Sequence, residues 1–222
     1  MCTSNTKFSV AMSVYSGDEP EWLKAAIESI LNQTLPPAEV VIVVDGPISE
    51  GLKQVINEYV IKPEFIIVQL PENTGHGFAR SIALNKCNYD IVALMDTDDI
   101  CCEYRFEKQM SVLENDESIS VVGGQISEFI GGPNNIVSYR RVPLDDEKIK
   151  RYMKNRCPMN QVTVMFRKSS VQSVGGYKTW PYDEDYYLWI RMAQAGLKFA
   201  NVPDVIVNVR TGEEQYSRRG GT

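Results

Sequence analysis

Short apolar runs alternate with amphipathic segments in the first half of the chain. Each run is bounded by polar or turn residues, a pattern typical of buried strands in an α/β sheet. The runs predict strands at Phe8–Val14, at Glu39–Val44, at Phe65–Gln69 and at residues 91–95. The last run is the most informative, because it is continuous and ends abruptly in charged residues.

The segments between these strands have the apolar spacing of helices. Pro20 suits the first turn of a helix that is capped by Asp18 or Glu19. Further helices are predicted at residues 49–59 and in a segment that ends near Lys86. Because strand and helix alternate, the pattern predicts parallel strands joined by right-handed crossovers in a three-layer α/β/α sheet.

The pattern changes in the second half of the chain. It predicts a helix at 103–115, strands at 119–130 and 136–141 around a glycine-rich turn, a polar helix at 145–155, a strand at 161–166, an aromatic and acidic helix that ends near Gly196, and a last strand at 205–209. Residues 1–222 are therefore expected to form one domain, with strands of mixed direction in the second half.

The strand at residues 91–95 leads directly into the carboxylates of Asp96, Asp98 and Asp99, and we call the stretch from Asp96 to Asp99 the acid turn. Acids this close repel one another, and a divalent cation bound to a phosphate is a suitable counter-charge. A solvated acidic loop is the alternative. Because Asp45 also follows a strand, it is expected to face the same crevice as the acid turn, where α/β proteins bind ligands.

Composition narrows the class of protein. The chain of 222 residues has 43% hydrophobic residues, enough for one sizeable core. Its net charge of −6 argues against non-specific binding to nucleic acid. The odd number of cysteines, five, favours reduced thiols in the cytoplasm over a disulfide framework or a zinc site. No apolar run approaches the ~20 residues that span a bilayer, so any membrane contact is expected to be peripheral.

Several segments, in order along almost the whole chain, resemble those of the inverting family 2 glycosyltransferases. They are FSVAMSVYSGD, SILNQTLPPAEVVIVVDG, ENTGHGFARSIAL, IVALMDTDD and GGY…DEDYYLWIRM. The resemblance implies a GT-A fold, which is Rossmann-like, with a nucleotide-sugar-binding half at about residues 1–100 and an acceptor-binding half at about residues 101–222. It also implies transfer of a sugar from a nucleotide sugar, a UDP-sugar by preference, to a saccharide acceptor.

Further stretches, VSYRRVP, NQVTVMFRKS and RRGG, resemble bacterial enzymes of capsule and exopolysaccharide assembly. This resemblance implies a lipid-linked saccharide acceptor and a role in cell-surface polysaccharide synthesis. It further implies peripheral association with the inner face of the cytoplasmic membrane, through sequence beyond the residues given.

The resemblance assigns roles to residues of the donor site. Asp45 would bind the uracil of the nucleotide sugar, and backbone near Tyr15 would flank that base. Arg80 would lie near the nucleotide. Asp96 would face the ribose, and Asp98 would be the ligand of a Mn²⁺ or Mg²⁺ ion on the diphosphate.

The acceptor side is assigned in the same way. Asp185 would be the general base, with Glu184 as the alternate, and Trp180 and Tyr182 would stack on the acceptor sugar. Burial among aromatic residues would raise the pKa of Asp185, whereas a helix N-terminus would lower it, and the sequence leaves that balance open. Asp99 is expected to support the metal ligand or to cap the following helix.

Two other classes of protein are also compatible with acidic residues at the ends of strands. A sugar-phosphate nucleotidyltransferase would need a glycine-rich loop with arginine or lysine after the first strand, where this chain has Tyr15-Ser16-Gly17-Asp18. A non-catalytic nucleotide- or carbohydrate-binding module of the same fold would not need both Asp98 and Asp185. The favoured interpretation is therefore a metal-dependent hexosyltransferase.

Overall fold

The first half of the chain folds into the alternating strands and helices that the apolar pattern predicts. A computed structural model describes residues 6–178 and 183–212. Its elements up to the acid turn are β1 (Phe8–Val14), α1 (Pro20–Leu31), β2 (Glu39–Val44), α2 (Glu50–Tyr59), β3 (Phe65–Gln69), α3 (His76–Lys86) and β4 (Ile91–Leu94). Each predicted strand is confirmed, the one at residues 91–95 ending a residue early.

The second half follows the prediction in outline. Its elements are β5 (Ile100–Cys101), α4 (Arg105–Asn115), β6 (Ile119–Phe129), β7 (Ile136–Arg140), α5 (Asp146–Tyr152), β8 (Met165–Arg167), α6 (Lys168–Ser173), α7 (Glu184–Gln194) and β9 (Lys198–Arg210). The short elements β5 and α6 are not in the prediction, and α5 is shorter than predicted.

The predicted strand at residues 161–166 is wrong in its first half. Gln161–Thr163 form a 3-10 helix, and β8 begins only at Met165. The backbone N–H and the hydroxyl of Thr163 both donate to the carbonyl of Asn160, at 2.8 and 2.6 Å. Such local bonds compete with those of an extended strand. The β-branched residues that indicated a strand are instead buried in and after a turn of 3-10 helix.

The last strand is longer than its apolar run. The prediction covers residues 205–209, whereas β9 extends from Lys198 to Arg210 because it pairs with β6 along most of its length and with β5 near its end. A polar residue within β9 finds its hydrogen-bond partner outside the sheet. The side-chain amide of Asn201 donates to the carbonyl of Pro143 at 2.6 Å.

The strands form one mixed sheet in the order β3-β2-β1-β4-β8-β6-β9-β5, with β7 paired to β6. Neighbours among β1, β2, β3 and β4 are parallel, whereas β8 is antiparallel to both β4 and β6. The parallel half therefore brings the carboxyl ends of β1, β2 and β4 to one edge, as the sequence predicts.

Helices cover both faces of the sheet, which confirms the three-layer architecture. On one face, residues of β1 and β2 such as Met12 pack with α1, α2 and α4. On the other face, residues such as Ala11 pack with α3, α5, α6 and α7, and Trp189 of α7 lies fully buried between Phe166 and Phe199. Within the described ranges, no helix has both the length and the apolar character needed to cross a bilayer.

Candidate active site

A cleft of about 440 Å³ opens at the carboxyl ends of β1, β2 and β4. Its walls come from the loops after these strands and from the start of α3. The lining residues are Ser13, Val14, Tyr15, Asp18, Asp45, Asn73, Gly75, His76, Asp96, Thr97 and Asp98. The prediction that Asp45 and the acid turn share one crevice is therefore confirmed.

Asp45 anchors the loop that precedes α3. One carboxylate oxygen accepts from the N–H and the hydroxyl of Thr74, at 2.7 and 2.8 Å, and the other accepts from the N–H of Gly75 at 3.1 Å. Gly46 makes this contact possible: its φ is +88°, and a Cβ there would lie 2.6 Å from the backbone nitrogen of Asn73. The loops after β2 and β3 thus form one wall of the cleft.

The negative charge of Asp96 is balanced by an arginine on the neighbouring helix. Nη2 of Arg80, on α3, donates to Oδ1 of Asp96 at 2.8 Å, and the guanidinium is largely buried. Burial alone would raise the pKa of Asp96, but Arg80 outweighs it, so the pKa lies below its usual range. Asp96 is therefore ionised and held in one orientation.

Asp98 has a different environment from Asp96. Burial, followed by repulsion from Asp96 and from Asp18, raises the pKa of Asp98 to about 6. Burial also raises the pKa of Asp18, which accepts the N–H of Tyr15 at 2.9 Å and lines the same cleft. Both carboxylates line the cleft and add negative charge to it.

The donor set fits a metal that is held together with a substrate phosphate. Among residues 6–178 and 183–212, no group of three or more histidine, cysteine, aspartate or glutamate side chains could hold a metal. Mg²⁺ is commonly bound by one or two carboxylates plus phosphate oxygens and water, rather than by a cage of protein ligands. Asp98, with Asp18 nearby, offers such a partial set.

Asp99 points away from this site. Its side chain is buried, and Oδ1 accepts the backbone N–H of Arg210 at 2.8 Å. The predicted role as a helix cap is wrong, because β5 follows the acid turn and α4 begins only after Tyr104. Asp99 instead attaches the acid turn to the end of β9.

Asp185 lies at the start of α7, which abuts the start of α3. A Cβ at Gly77 of α3 would lie 3.5 Å from Cγ of Glu184. Arg80, which binds Asp96 directly, also lies close enough to Asp185 to interact with it electrostatically. Burial is the largest influence on Asp185 and raises its pKa, against the lowering effects of the Tyr186 N–H and of Arg80.

Of the remaining predicted site residues, the structure describes Tyr15 but not the two aromatic residues assigned to the acceptor. Tyr15 lies half exposed at the cleft, which is compatible with its predicted place beside the base. Trp180 and Tyr182 lie outside the described residues. The roles of Tyr15, Asp45, Arg80, Asp96, Asp98, Asp185 and Glu184 in binding or catalysis stay predictions.

Two ionisable residues of the cleft are not among the predicted site residues. Asp18 follows the same strand as Tyr15, and that position at the strand end is the signal that could have identified it, although its place before a helix suggests a cap. His76 is the first residue of α3. Burial, and then Arg80, lowers the pKa of His76, which favours the neutral imidazole on the cleft wall.

Comparisons with known proteins agree on a family. The family model described as glycosyl transferase family 2 matches residues 9–176. The chain is 43% identical to an uncharacterized glycosyltransferase of Haemophilus influenzae, covering 97% of this chain and 80% of that protein. It is 39% identical to the amylovoran biosynthesis glycosyltransferase AmsE of Erwinia amylovora, covering 96% of this chain and 80% of that protein.

A third relative carries a more specific name. The chain is 34% identical, over its whole length and 80% of the relative, to a UDP-Gal:alpha-D-GlcNAc-diphosphoundecaprenol beta-1,3-galactosyltransferase of Escherichia coli. Among solved structures, TarS of S. aureus matches with a TM-score of 0.69 at 18% identity, over 96% of this chain and 38% of that one. At that identity the match to TarS supports the fold alone.

Proposed function

The chain belongs to glycosyl transferase family 2, and we propose that it transfers a sugar from a UDP-sugar to a saccharide acceptor with inversion at the anomeric carbon. One observation carries the proposal: Asp45, Asp96 and Asp98 line one cleft, and Arg80, which binds Asp96, also interacts electrostatically with Asp185. Carboxylates suited to holding the donor therefore share the cleft, and Asp185 lies near the arginine that orients one of them.

Asp45 suits the nucleoside end of a UDP-sugar. Both of its carboxylate oxygens already accept bonds from Thr74 and Gly75, which fix its orientation. A carboxylate has about four lone-pair sites, so capacity remains for an N–H of uracil. The donor named for the Escherichia coli relative is UDP-Gal, which supports a UDP-sugar as donor.

Asp98 suits the diphosphate end. It would hold Mn²⁺ or Mg²⁺ there, with Asp18 close by. The bound metal would offset the charge that develops on the leaving diphosphate. Asp96, oriented by Arg80, would face the ribose.

Asp185 suits the acceptor end as the base. It would take the proton of the acceptor hydroxyl as that oxygen attacks the anomeric carbon, a contribution typically worth about 10²–10⁴-fold. Attack from the side opposite the leaving diphosphate displaces it in a single step. The sugar is therefore transferred with inversion and without a covalent intermediate.

The acceptor is assigned by class. The name of the Escherichia coli relative specifies a diphosphoundecaprenol-linked sugar, and AmsE is named for amylovoran biosynthesis. We therefore propose a lipid-linked saccharide acceptor in bacterial surface polysaccharide synthesis, with the enzyme acting at the inner face of the cytoplasmic membrane.

Calorimetry with UDP, in the presence and absence of Mn²⁺, tests the donor site. We expect binding that strengthens on addition of Mn²⁺, and hydrolysis of at least one member of a UDP-sugar panel. GDP and ADP are matched controls, because they share the diphosphate and lack uracil. Equal binding of all nucleotides, or binding indifferent to Mn²⁺, would contradict the proposed donor site.

The pH dependence of transfer tests the base. A base acts in its unprotonated form, and burial raises the pKa of Asp185. We therefore expect kcat to fall, as the pH is lowered, at a higher pH than the ~3.9 of an ordinary aspartate. Saturating donor and Mn²⁺ keep the metal site loaded during the measurement. A kcat that is constant down to about pH 4 would argue against a buried carboxylate base.

A further inference from the structure

Arg210, the last residue of β9, is hydrogen-bonded to the acid turn. The backbone N–H of Arg210 donates to Oδ1 of Asp99 at 2.8 Å, and its side-chain Nε donates to the carbonyl oxygen of Asp98 at 3.1 Å. The attachment is reciprocal: an acid-turn side chain binds the arginine backbone, and the arginine side chain binds the acid-turn backbone.

The guanidinium itself is fixed by groups from two further elements. Nη1 donates to the carbonyl of Gly131, in the turn after β6, at 2.8 Å. The guanidinium carbon lies 4.6 Å from the ring centroid of Trp22, on α1, and 4.8 Å from that of Phe129, at the end of β6. Two hydrogen bonds and two cation–π contacts therefore hold the guanidinium in place.

We propose that Arg210 is a positioning residue of the donor site: it fixes the backbone of Asp98 so that the Asp98 carboxylate keeps one orientation toward the metal and the diphosphate. The inference rests on the proposed function, since it assumes that Asp98 holds the metal. It adds a residue 112 positions away from Asp98 that is not among the residues lining the cleft.

The contacts indicate that Arg210 acts through position more than through charge. Its Nε is bonded to the Asp98 carbonyl, and the carboxylate of Asp98 lies on the cleft side. If charge were the main effect, removing the arginine would leave more negative potential at Asp98 and would strengthen binding of a cation. If position is the main effect, removing it loosens the ligand and weakens metal binding.

Lysine is a poor substitute for this purpose. The arginine donates in two directions from one rigid plane, to Asp98 and to Gly131, while its guanidinium lies over the rings of Trp22 and Phe129. A lysine ammonium keeps the charge but has no plane and no fork. Arg210→Lys and Arg210→Met should therefore behave alike if position matters, and differently if charge matters.

The test is the Mn²⁺ concentration that gives half-maximal UDP binding, measured by calorimetry on the full chain. We expect Arg210→Met and Arg210→Lys each to raise this midpoint by about 10–100-fold, the usual cost of losing a group that orients a metal ligand. An unchanged or lower midpoint in Arg210→Met, or a wild-type midpoint in Arg210→Lys, would overturn the inference.

Arg167→Met is a matched control for loss of stability. Arg167 also donates to two backbone carbonyls, those of Ile119 and Leu113 at 3.1 and 2.8 Å. It pairs with Ile91 at the start of β4, whereas the acid turn follows the end of that strand. Replacement of Arg167 should lower the melting temperature without changing the Mn²⁺ midpoint. If Arg167→Met raises the Mn²⁺ midpoint as much as Arg210→Met does, the effect of Arg210 is one of general stability and not of positioning.

Trp22→Leu provides a second variant if Arg210→Met fails to fold. Trp22 is 38% exposed, so its loss should be tolerated, and it removes one of the two rings that hold the guanidinium. We expect a smaller rise of the Mn²⁺ midpoint, of about threefold; a wild-type midpoint would count against the inference. If the wild-type chain shows no Mn²⁺-dependent UDP binding, the proposed function fails first, and the role of Arg210 with it.

Discussion

Replacing Asp98 by alanine is expected to abolish the Mn²⁺-dependent part of UDP binding and to lower sugar transfer by about a thousandfold or more. The carboxylate is the ligand proposed for the metal, and metal stabilisation of a developing charge is worth several kcal/mol, with each 1.36 kcal/mol a factor of ten in rate. Calorimetry with UDP and a transfer assay at saturating donor measure the two effects separately.

Two controls separate this effect from damage to the fold. Asp98→Asn keeps the size and one oxygen of the side chain but not its charge, so it should behave like Asp98→Ala. Asp204→Asn removes a half-buried aspartate that is paired with Lys108 outside the cleft, and it should leave UDP binding unchanged. Mn²⁺-dependent UDP binding that persists in Asp98→Ala would refute the assignment of the metal ligand, with Asp18 as the next candidate.

Replacing Asp185 by asparagine is expected to lower transfer by about 10²–10⁴-fold while leaving UDP binding nearly intact. The amide has the size of the carboxylate but cannot take a proton from the acceptor hydroxyl. Because Asp96 keeps its direct bond from Arg80 in the variant, the acid turn should not be disturbed. The measurements are kcat for transfer and the Kd for UDP in the presence of Mn²⁺.

Glu184→Gln is the matched control, because Glu184 is the neighbouring acid in the first turn of α7. It should keep most of the transfer activity if Asp185 is the base. Loss of transfer in Glu184→Gln, with activity retained in Asp185→Asn, would reverse the assignment. Equal loss of transfer and of UDP binding in Asp185→Asn would show that Asp185 supports the donor site and is not the base.

The parallel half of the fold follows directly from local sequence. Its strands are continuous apolar runs, as expected when helices cover both faces, and proline and polar residues mark their ends. Phe8–Val14, Glu39–Val44 and Phe65–Gln69 have the same bounds in the prediction and in the structure. Because parallel strands expose their carboxyl ends at one edge, the meeting of Asp45 with the acid turn is also a consequence of local pattern.

The mixed half depends on contacts between distant residues. The polar part of β9 could not be predicted from its own sequence, because its bonds are completed by β6, β5 and the carbonyl of Pro143. The β-branched run at residues 161–166 looks extended in isolation, but the Asn160–Thr163 bonds turn it into a 3-10 helix. The carbonyl of Thr163 also accepts a bond from the side-chain amide of Gln109 at 2.7 Å, and its hydroxyl accepts one from the N–H of Gly124 at 3.0 Å, so in both places tertiary partners override local propensity.

For this protein, the sequence alone determined where the carboxylates stand along the chain and that several of them share one edge of a sheet. It could not distinguish the acids from one another, because their charge states depend on partners that the fold brings from elsewhere. Arg80 lowers the pKa of Asp96, while burial raises that of Asp98 to about 6. Arg210, more than a hundred positions further along the chain, binds Asp99 and the Asp98 backbone. The tertiary structure alone decided these pairings, because desolvation and hydrogen bonding act over ångströms in space and not along the chain.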